Sequence, residues 1–185
     1  MNVYIMRIIN KLAILIIFCV SPNVLAGTAT VFLSKTVYDE VGKVESVDPA
    51  LLYSISLVES ARNAGGKTVA PHKYAIRTPK GAFFPNSYAE AVRTLRSQLK
   101  IYRPNLIDVG LMQINGQHFG KVNKPEDLLE PRTNVKVASR ILKGAMDSTS
   151  NKIIGIGRYH SFTEWRARAY GARVLAVYNN LAKLR

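Results

Sequence analysis

The sequence predicts a mainly α-helical single domain with one small β-hairpin insertion. Three observations carry that expectation. Apolar residues recur at helical spacing in most segments long enough to judge. Short extended stretches flank a Pro79-Lys80-Gly81 turn. The 185 residues contain no internal repeat, low-complexity tract or dividing linker, so one core has to serve the chain.

The first 26 residues read as an export leader. Arg7 and Lys11 supply its positive start, residues 12–20 an unbroken apolar run, and Val24-Leu25-Ala26 a cleavage site before Gly27. Those nine apolar residues fall short of the about 20 that a helix needs to cross a bilayer. Cleavage would leave residues 27–185 as the functional domain, exported and without a stable membrane span. Retention as an uncleaved anchor is the alternative. The one cysteine, Cys19, lies in the leader, so the remaining domain has to be stabilised by packing alone.

Residues 30–44 form an expected first helix with Val31, Val37, Val41 and Val44 as its apolar positions. A second helix opens at Asp48-Pro49, Asp as N-cap and Pro at the first helical position, and runs to Ser60. Leu52, Ile55 and Glu59 share one of its faces, so the carboxylate extends an apolar stripe toward the core. Desolvation there raises a carboxyl's pKa, as a general acid working near neutral pH requires. A solvated Glu at an exposed helix end is the plain alternative. Residues 62–66, Arg-Asn-Ala-Gly-Gly, read as a helix stop and loop. Residues 74–77 and 82–84 then form the hairpin.

Ser87 caps a helix reaching residue 102, with Ala91, Leu95 and Leu99 in register, and Pro104-Asn105 breaks it. Residues 110–115, Gly-Leu-Met-Gln-Ile-Asn, are short and mostly apolar. If extended, they put Gln113 and Asn115 on one face and Met112 and Ile114 on the other. Two such amides need partners, either a sugar's hydroxyl and N-acetyl groups or nearby backbone. Asp108 reads as a cap for the turn before Gly110, with a second carboxylate as the alternative. Residues 131–146 give a helix striped by Val137, Ile141 and Ala145; a short helix follows from 155, and residues 165–184 form the last.

Charge and inventory narrow the chemistry. Lys and Arg number 26 against 12 Asp and Glu, a formal charge of +14 to which the leader adds only Arg7 and Lys11. Such a balance attracts polyanions. Export argues against nucleic acid, whereas bacterial peptidoglycan, with its peptide carboxylates, fits both charge and export. There is no Gly-x-Ser-x-Gly elbow, no phosphate-binding glycine loop and no cysteine after the leader. His72, His118 and His160 lack metal-ligand spacing, so neither a metal nor another cofactor is expected. Tyr159, His160 and Ser161 form a polar cluster suited to the lip of a cleft. Arg158, Arg166, Arg168 and Arg173 read either as a polymer-binding patch or as a solvated helix face.

Taken together, four motifs over about residues 47–178 resemble the soluble lytic transglycosylase domain of the goose-type lysozyme-like superfamily. They are Glu59-Ser60 at the end of an apolar helix; Gly-Leu-Met-Gln-Ile-Asn at 110–115; Pro131-x-x-Asn134 opening the next helix, after Leu128-Leu129; and Ile156-Gly157-Arg158-Tyr159-His160-Ser161, followed in the last helix by a Tyr-Val-x-x-Val-Leu-like stretch at 170–175, which begins with Tyr170. His160 stands where the family usually has Asn, and Phe162 where it usually has Gly. Tyr178-Asn179 offers a competing match in the terminal helix, but the site tyrosine is assigned to Tyr159. The Asp-Val-Gly-Leu-Met-Gln-Ile-Asn form and the long insertion between Gly66 and Pro104 look most like the small transglycosylases of conjugation, type IV secretion or pilus machinery.

The resemblance implies a lysozyme-like α+β fold and action on peptidoglycan glycan strands. Glu59 would be the single acid and base, cleaving between N-acetylmuramic acid and N-acetylglucosamine with formation of a 1,6-anhydro product. Gln113, Asn115 and Tyr159 would hold the sugar acetamides, with Ser60, Met112 and His160 completing the expected substrate-binding set. Ser60 is either a partner that steadies the Glu59 carboxylate or a polar residue closing its helix. The alternatives are a two-carboxylate muramidase using Asp108 or Asp39, and an idle wall-binding assembly factor. Secretion or conjugation components are the further partners implied.

Overall fold

The computed structural model describes residues 33–66 and 68–183. The expected leader, Val31 and Leu184 lie outside the described residues. Helix α1 is Val37–Glu45, and the expected helix is interrupted just before it by a turn at residues 34–36. Lys35 adopts a left-handed φ of 62°, and Thr36 then caps the helix by accepting from the Asp39 amide. The inward face is carried by Tyr38 and Val41, while Val44 is 69% exposed, which corrects its assignment to the apolar side.

Helix α2, Pro49–Ser60, begins as the sequence predicts: the Asp48 side chain accepts from the Ala50 amide at 2.8 Å. Most of its circumference is apolar, so it sits in the middle and packs against α1 and the last helix. Leu52 and Ile55 are fully enclosed, each contributing about 1.5–3 kcal/mol of transfer free energy.

The chain continues directly into an antiparallel hairpin, β1 (Ala61–Gly65) and β2 (Thr68–Pro71), where a loop was expected. Every residue of β1 is exposed, so no alternation of apolar and polar residues announces it. The expected hairpin follows as β3 (Ile76–Thr78) and β4 (Gly81–Phe83), turning at Pro79-Lys80. Helix α3, Tyr88–Leu99, is capped by Ser87 and buries Ala91 and Leu95.

A 3₁₀ turn at Pro104–Leu106 leads into β5 (Asp108–Val109), which pairs with β3 on one side and with β6 (Ile114–Asn115) on the other. The sheet order is β4-β3-β5-β6, antiparallel throughout. After two more 3₁₀ turns come α4 (Pro131–Asp147), α5 (Lys152–Gly157) and α6 (Glu164–Leu181). Helix α5 starts at Lys152, ahead of the expected 155, because the Asn151 side chain accepts from the Ile154 amide and caps it.

Helices α5 and α6 meet backbone to backbone. A Cβ at Gly157 would run into the Ala167 carbonyl, and one at Gly171 into that of Ile153. That close approach fixes α6 where it also lies along α2. The result is a mainly helical body with a small antiparallel β insertion, as the sequence predicts. Among the described residues, no helix is long and apolar enough to cross a membrane.

Candidate active site

The segment 110–113 is a tight hairpin turn between β5 and β6 rather than an extended strand. Pairing of Val109 with Ile114 leaves four residues to reverse the chain, and Gly110 (φ 83°) and Gln113 (φ 45°) take left-handed conformations to do so. Only glycine fits at 110, because a Cβ would strike the Asn134 side chain and the Leu128 carbonyl. Gln113 pays for its own left-handed backbone with its side chain, whose Nε2 donates to the carbonyls of Ala75 (3.1 Å) and Gly110 (2.9 Å). Its amide is therefore satisfied by backbone, one of the two expected alternatives.

Buried polar groups hold this turn from three sides. Ser56 and Ser60, one turn apart on α2, both donate to the Leu111 carbonyl, at 3.1 and 2.7 Å. From α4, Asn134 accepts from the Met112 amide and donates to the Val109 and Leu128 carbonyls, each at 2.8 Å. The Tyr159 hydroxyl donates to the Met112 carbonyl at 2.7 Å. Ser56, Ser60 and Asn134 are all buried, so each lost bond would strand a polar group at a cost of about 1–3 kcal/mol.

In front of the turn lies a polar cleft of about 410 Å³. Glu59, Arg77, Asp108, Gln113, Asn115, Tyr159 and His160 all line it. Glu59 comes from the last turn of α2, Arg77 from β3, Asp108 and Asn115 from β5 and β6, and Tyr159 and His160 from the segment after α5. The Tyr170 hydroxyl, on α6, donates to Glu59 Oε1 at 2.5 Å. The His160 ring stacks almost parallel on Tyr170, 4.8 Å between centroids.

Burial raises the Glu59 carboxyl from 4.5 to about 7, against the pull of the Tyr170 hydroxyl; the Asp108 charge adds to the rise, and Arg77 and Arg173 oppose it. Asp108 is also raised, first by burial, while the Asn115 Nδ2 donating to its Oδ1 at 2.9 Å pulls the other way. Burial raises both tyrosines well above their ordinary value, so their hydroxyls stay protonated as donors. A carboxyl titrating near 7 can give a proton and take one back close to neutral pH.

The structure brings most of the expected residues together and moves some of them. Glu59, Gln113, Asn115, Tyr159 and His160 face the cleft. Ser60 and Met112 do not: both are buried, and they brace the turn from behind instead of meeting a ligand. The expected cap at Asp108 is also corrected, because it is a strand residue whose carboxylate enters the cleft. Asp39 is excluded as a second acid, being on α1 and paired with Lys43 at 2.8 Å. Tyr178, the competing tyrosine, donates to Asp48 Oδ2 at the opposite end of α2, roughly 16 Å along that helix from Glu59.

Tyr170 and Arg77 were not singled out as site residues by sequence reasoning. Tyr170 stood only as the start of a helix pattern, and 111 positions separate it from Glu59. No local periodicity connects two such residues; the packing of α6 on α2 does.

A family model described as the Transglycosylase SLT domain matches residues 37–180. The match spans α1 through nearly all of α6, and so every residue of the cleft. No curated protein and no solved structure gives a significant match.

Proposed function

This chain belongs to the transglycosylase SLT domain family of peptidoglycan-cleaving enzymes, and we propose that Glu59 is its single acid and base. In the forward step the Glu59 carboxyl protonates the β-1,4 glycosidic oxygen between N-acetylmuramic acid and N-acetylglucosamine, and the bond from that oxygen to C1 breaks. The muramic acid 6-hydroxyl oxygen then bonds to C1, and its proton returns to the Glu59 carboxylate. A 1,6-anhydro end results, no water is consumed, and Glu59 ends as it began.

The observation that carries this reading is the raised Glu59 carboxyl beside the Tyr170 hydroxyl. The bond from Tyr170 orients the group, while burial keeps it protonated up to about pH 7. Gln113, Asn115, Tyr159 and His160 would line the sugar path, with Ser60 and Met112 acting through the turn.

A hydrolase would draw on Asp108, the other carboxyl in the cleft. Burial raises Asp108 as it raises Glu59, so the two readings are told apart by their products. Mass spectrometry of purified sacculi digested by the protein separates the two. Anhydro-muropeptides are expected; reducing-end muropeptides would establish the hydrolase instead.

The setting is proposed on sequence alone: residues 1–26 as an export signal, residues 27–185 as the domain, and local opening of the wall for a conjugation or secretion apparatus. Its support is the leader pattern, the basic charge and the form of the 108–115 motif.

A further inference from the structure

A second groove, of about 340 Å³, lies along α6 and shares His160 with the cleft. Trp165, Arg166, Tyr170 and Arg173 line it. Trp165 is 68% exposed, an unusual position for the chain's one tryptophan. The Arg166 guanidinium sits 5.2 Å from the Trp165 ring, and that of Arg173 5.5 Å from the Tyr170 ring.

The four arginines of this region divide into two kinds. Arg168 pairs with Glu164 at 2.9 Å, and Arg158 donates to the Ser148 carbonyl and hydroxyl. These two are spent on the protein's own surface. Arg166 and Arg173 have no carboxylate partner among the described residues. A guanidinium stacked on an aromatic face keeps its N–H edge free, the geometry that grips a carboxylate with two parallel bonds. Charge is thus divided between the two grooves: Glu59, Asp108 and Arg77 line the cleft, and two guanidiniums without a carboxylate partner line the α6 groove.

We propose that this α6 groove is a subsite for the carboxylate-bearing peptide stem of the muramoyl unit, with Arg166 and Arg173 as anion holders and Trp165 as an apolar platform. The inference rests on peptidoglycan as the substrate. A stem branches from the muramoyl sugar, so a sugar placed at Glu59 has to send its peptide out over a neighbouring wall. The α6 groove is concave and basic, and it meets the cleft at His160. A groove that borders the cleft at His160 suits a branch of the bound polymer better than it suits a lipid surface.

The test is equilibrium binding at 4 °C to two preparations of the same glycan: tetrasaccharides carrying tetrapeptide stems, and those tetrasaccharides stripped by an amidase. The intact protein is expected to prefer the stem-bearing form. Arg166→Ala should weaken that form about tenfold, the order expected for one charge-assisted contact, and leave the stripped form within about twofold. Arg166→Lys should recover part of the loss, and the double variant with Arg173→Ala should abolish the preference. Equal weakening on both ligands, or none on either, would overturn the proposal. So would absence of any stem preference together with Trp165-dependent binding to phosphatidylglycerol vesicles, the outcome for a membrane-facing patch. A persistent stem preference with an active Glu59→Gln protein would overturn the Glu59 assignment and leave the subsite standing.

Discussion

The turn at residues 110–113 and the α6 face at 165–173 border two grooves that share His160, yet they handle polar groups in opposite ways. At the turn, the carbonyls of Gly110, Leu111 and Met112 and the amides of Gly110, Met112 and Gln113 all find protein partners. On α6, Arg166 and Arg173 hold their charges out toward solvent, with no carboxylate on either. The difference follows from burial. Enclosed polar groups must be bonded within the protein or destabilise it, so they build shape. Exposed groups face no such demand and remain available to a ligand. Glu59 lies between these regimes: only partly buried, bonded to one hydroxyl, and raised to about 7.

The largest expected effect separates the two carboxyls of the cleft. Glu59→Gln keeps size and still accepts from Tyr170, but it can no longer carry the proton. Clearance of purified peptidoglycan should fall by about 10²- to 10⁴-fold, the usual contribution of acid–base catalysis. Asp108→Asn should stay within about tenfold of the native rate, since an amide can still pair with Asn115. Near-normal clearance by Glu59→Gln would break the assignment. Loss confined to Asp108→Asn, with a normal thermal melt, would transfer catalysis to a two-carboxylate site.

Next in size is the test of the braced turn. Asn134→Ala strands the Met112 amide and two carbonyls, and buried unsatisfied groups cost about 1–3 kcal/mol each. Denaturant unfolding should show a loss of about 3 kcal/mol or more, against less than about 0.5 kcal/mol for an exposed change such as Arg166→Ala. Similar losses for the two variants would erase the contrast between the turn and the α6 face.

The smallest effect is a pH dependence, and its sign is fixed by the direction of the Glu59 shift. The folded state holds the proton more tightly than the unfolded chain, so ionising Glu59 destabilises the fold as pH rises from about 4.5 to about 7. Relative to Glu59→Gln, the native protein should lose up to about 3 kcal/mol across that window, less whatever the open side of the cleft screens, and then level off. A stability gap that does not change with pH would mean that the carboxyl is ordinarily solvated. If Glu59 is the acid, kcat/KM should also decline above about pH 7.

Much of the fold was legible because its signals are local. Asp48-Pro49 and Ser87 announce helix starts, and both cap as expected. Pro79-Lys80-Gly81 marks the hairpin turn that forms. The misses occur where local signals are silent or ambiguous. Strand β1 is exposed on both faces and so has no alternation to detect. Residues 110–115 look equally apolar as a strand or as a turn, and only the pairing of β5 with β6 decides between them. Ser60 and Met112 carried the family motif, but sequence adjacency to Glu59 and Gln113 does not tell whether a side chain faces the cleft or the core.

By itself, then, the sequence determined the helical content, the small β insertion, the core face of α2 and the placing of Glu59 at its end. Each follows from spacing and capping within one segment, where the geometry of a single helix or turn is enough. The tertiary structure decided which groups surround that carboxyl. Tyr170 reaches Glu59 because Gly157 and Gly171 let α5 and α6 touch, which settles α6 against α2. Asp108 enters the cleft because β5 pairs with both β3 and β6. Arg166 and Arg173 stay unpaired because no carboxylate of the described chain folds to meet them. A proton affinity depends on every charge and every displaced water around a group, and those neighbours are assembled only when distant segments pack together.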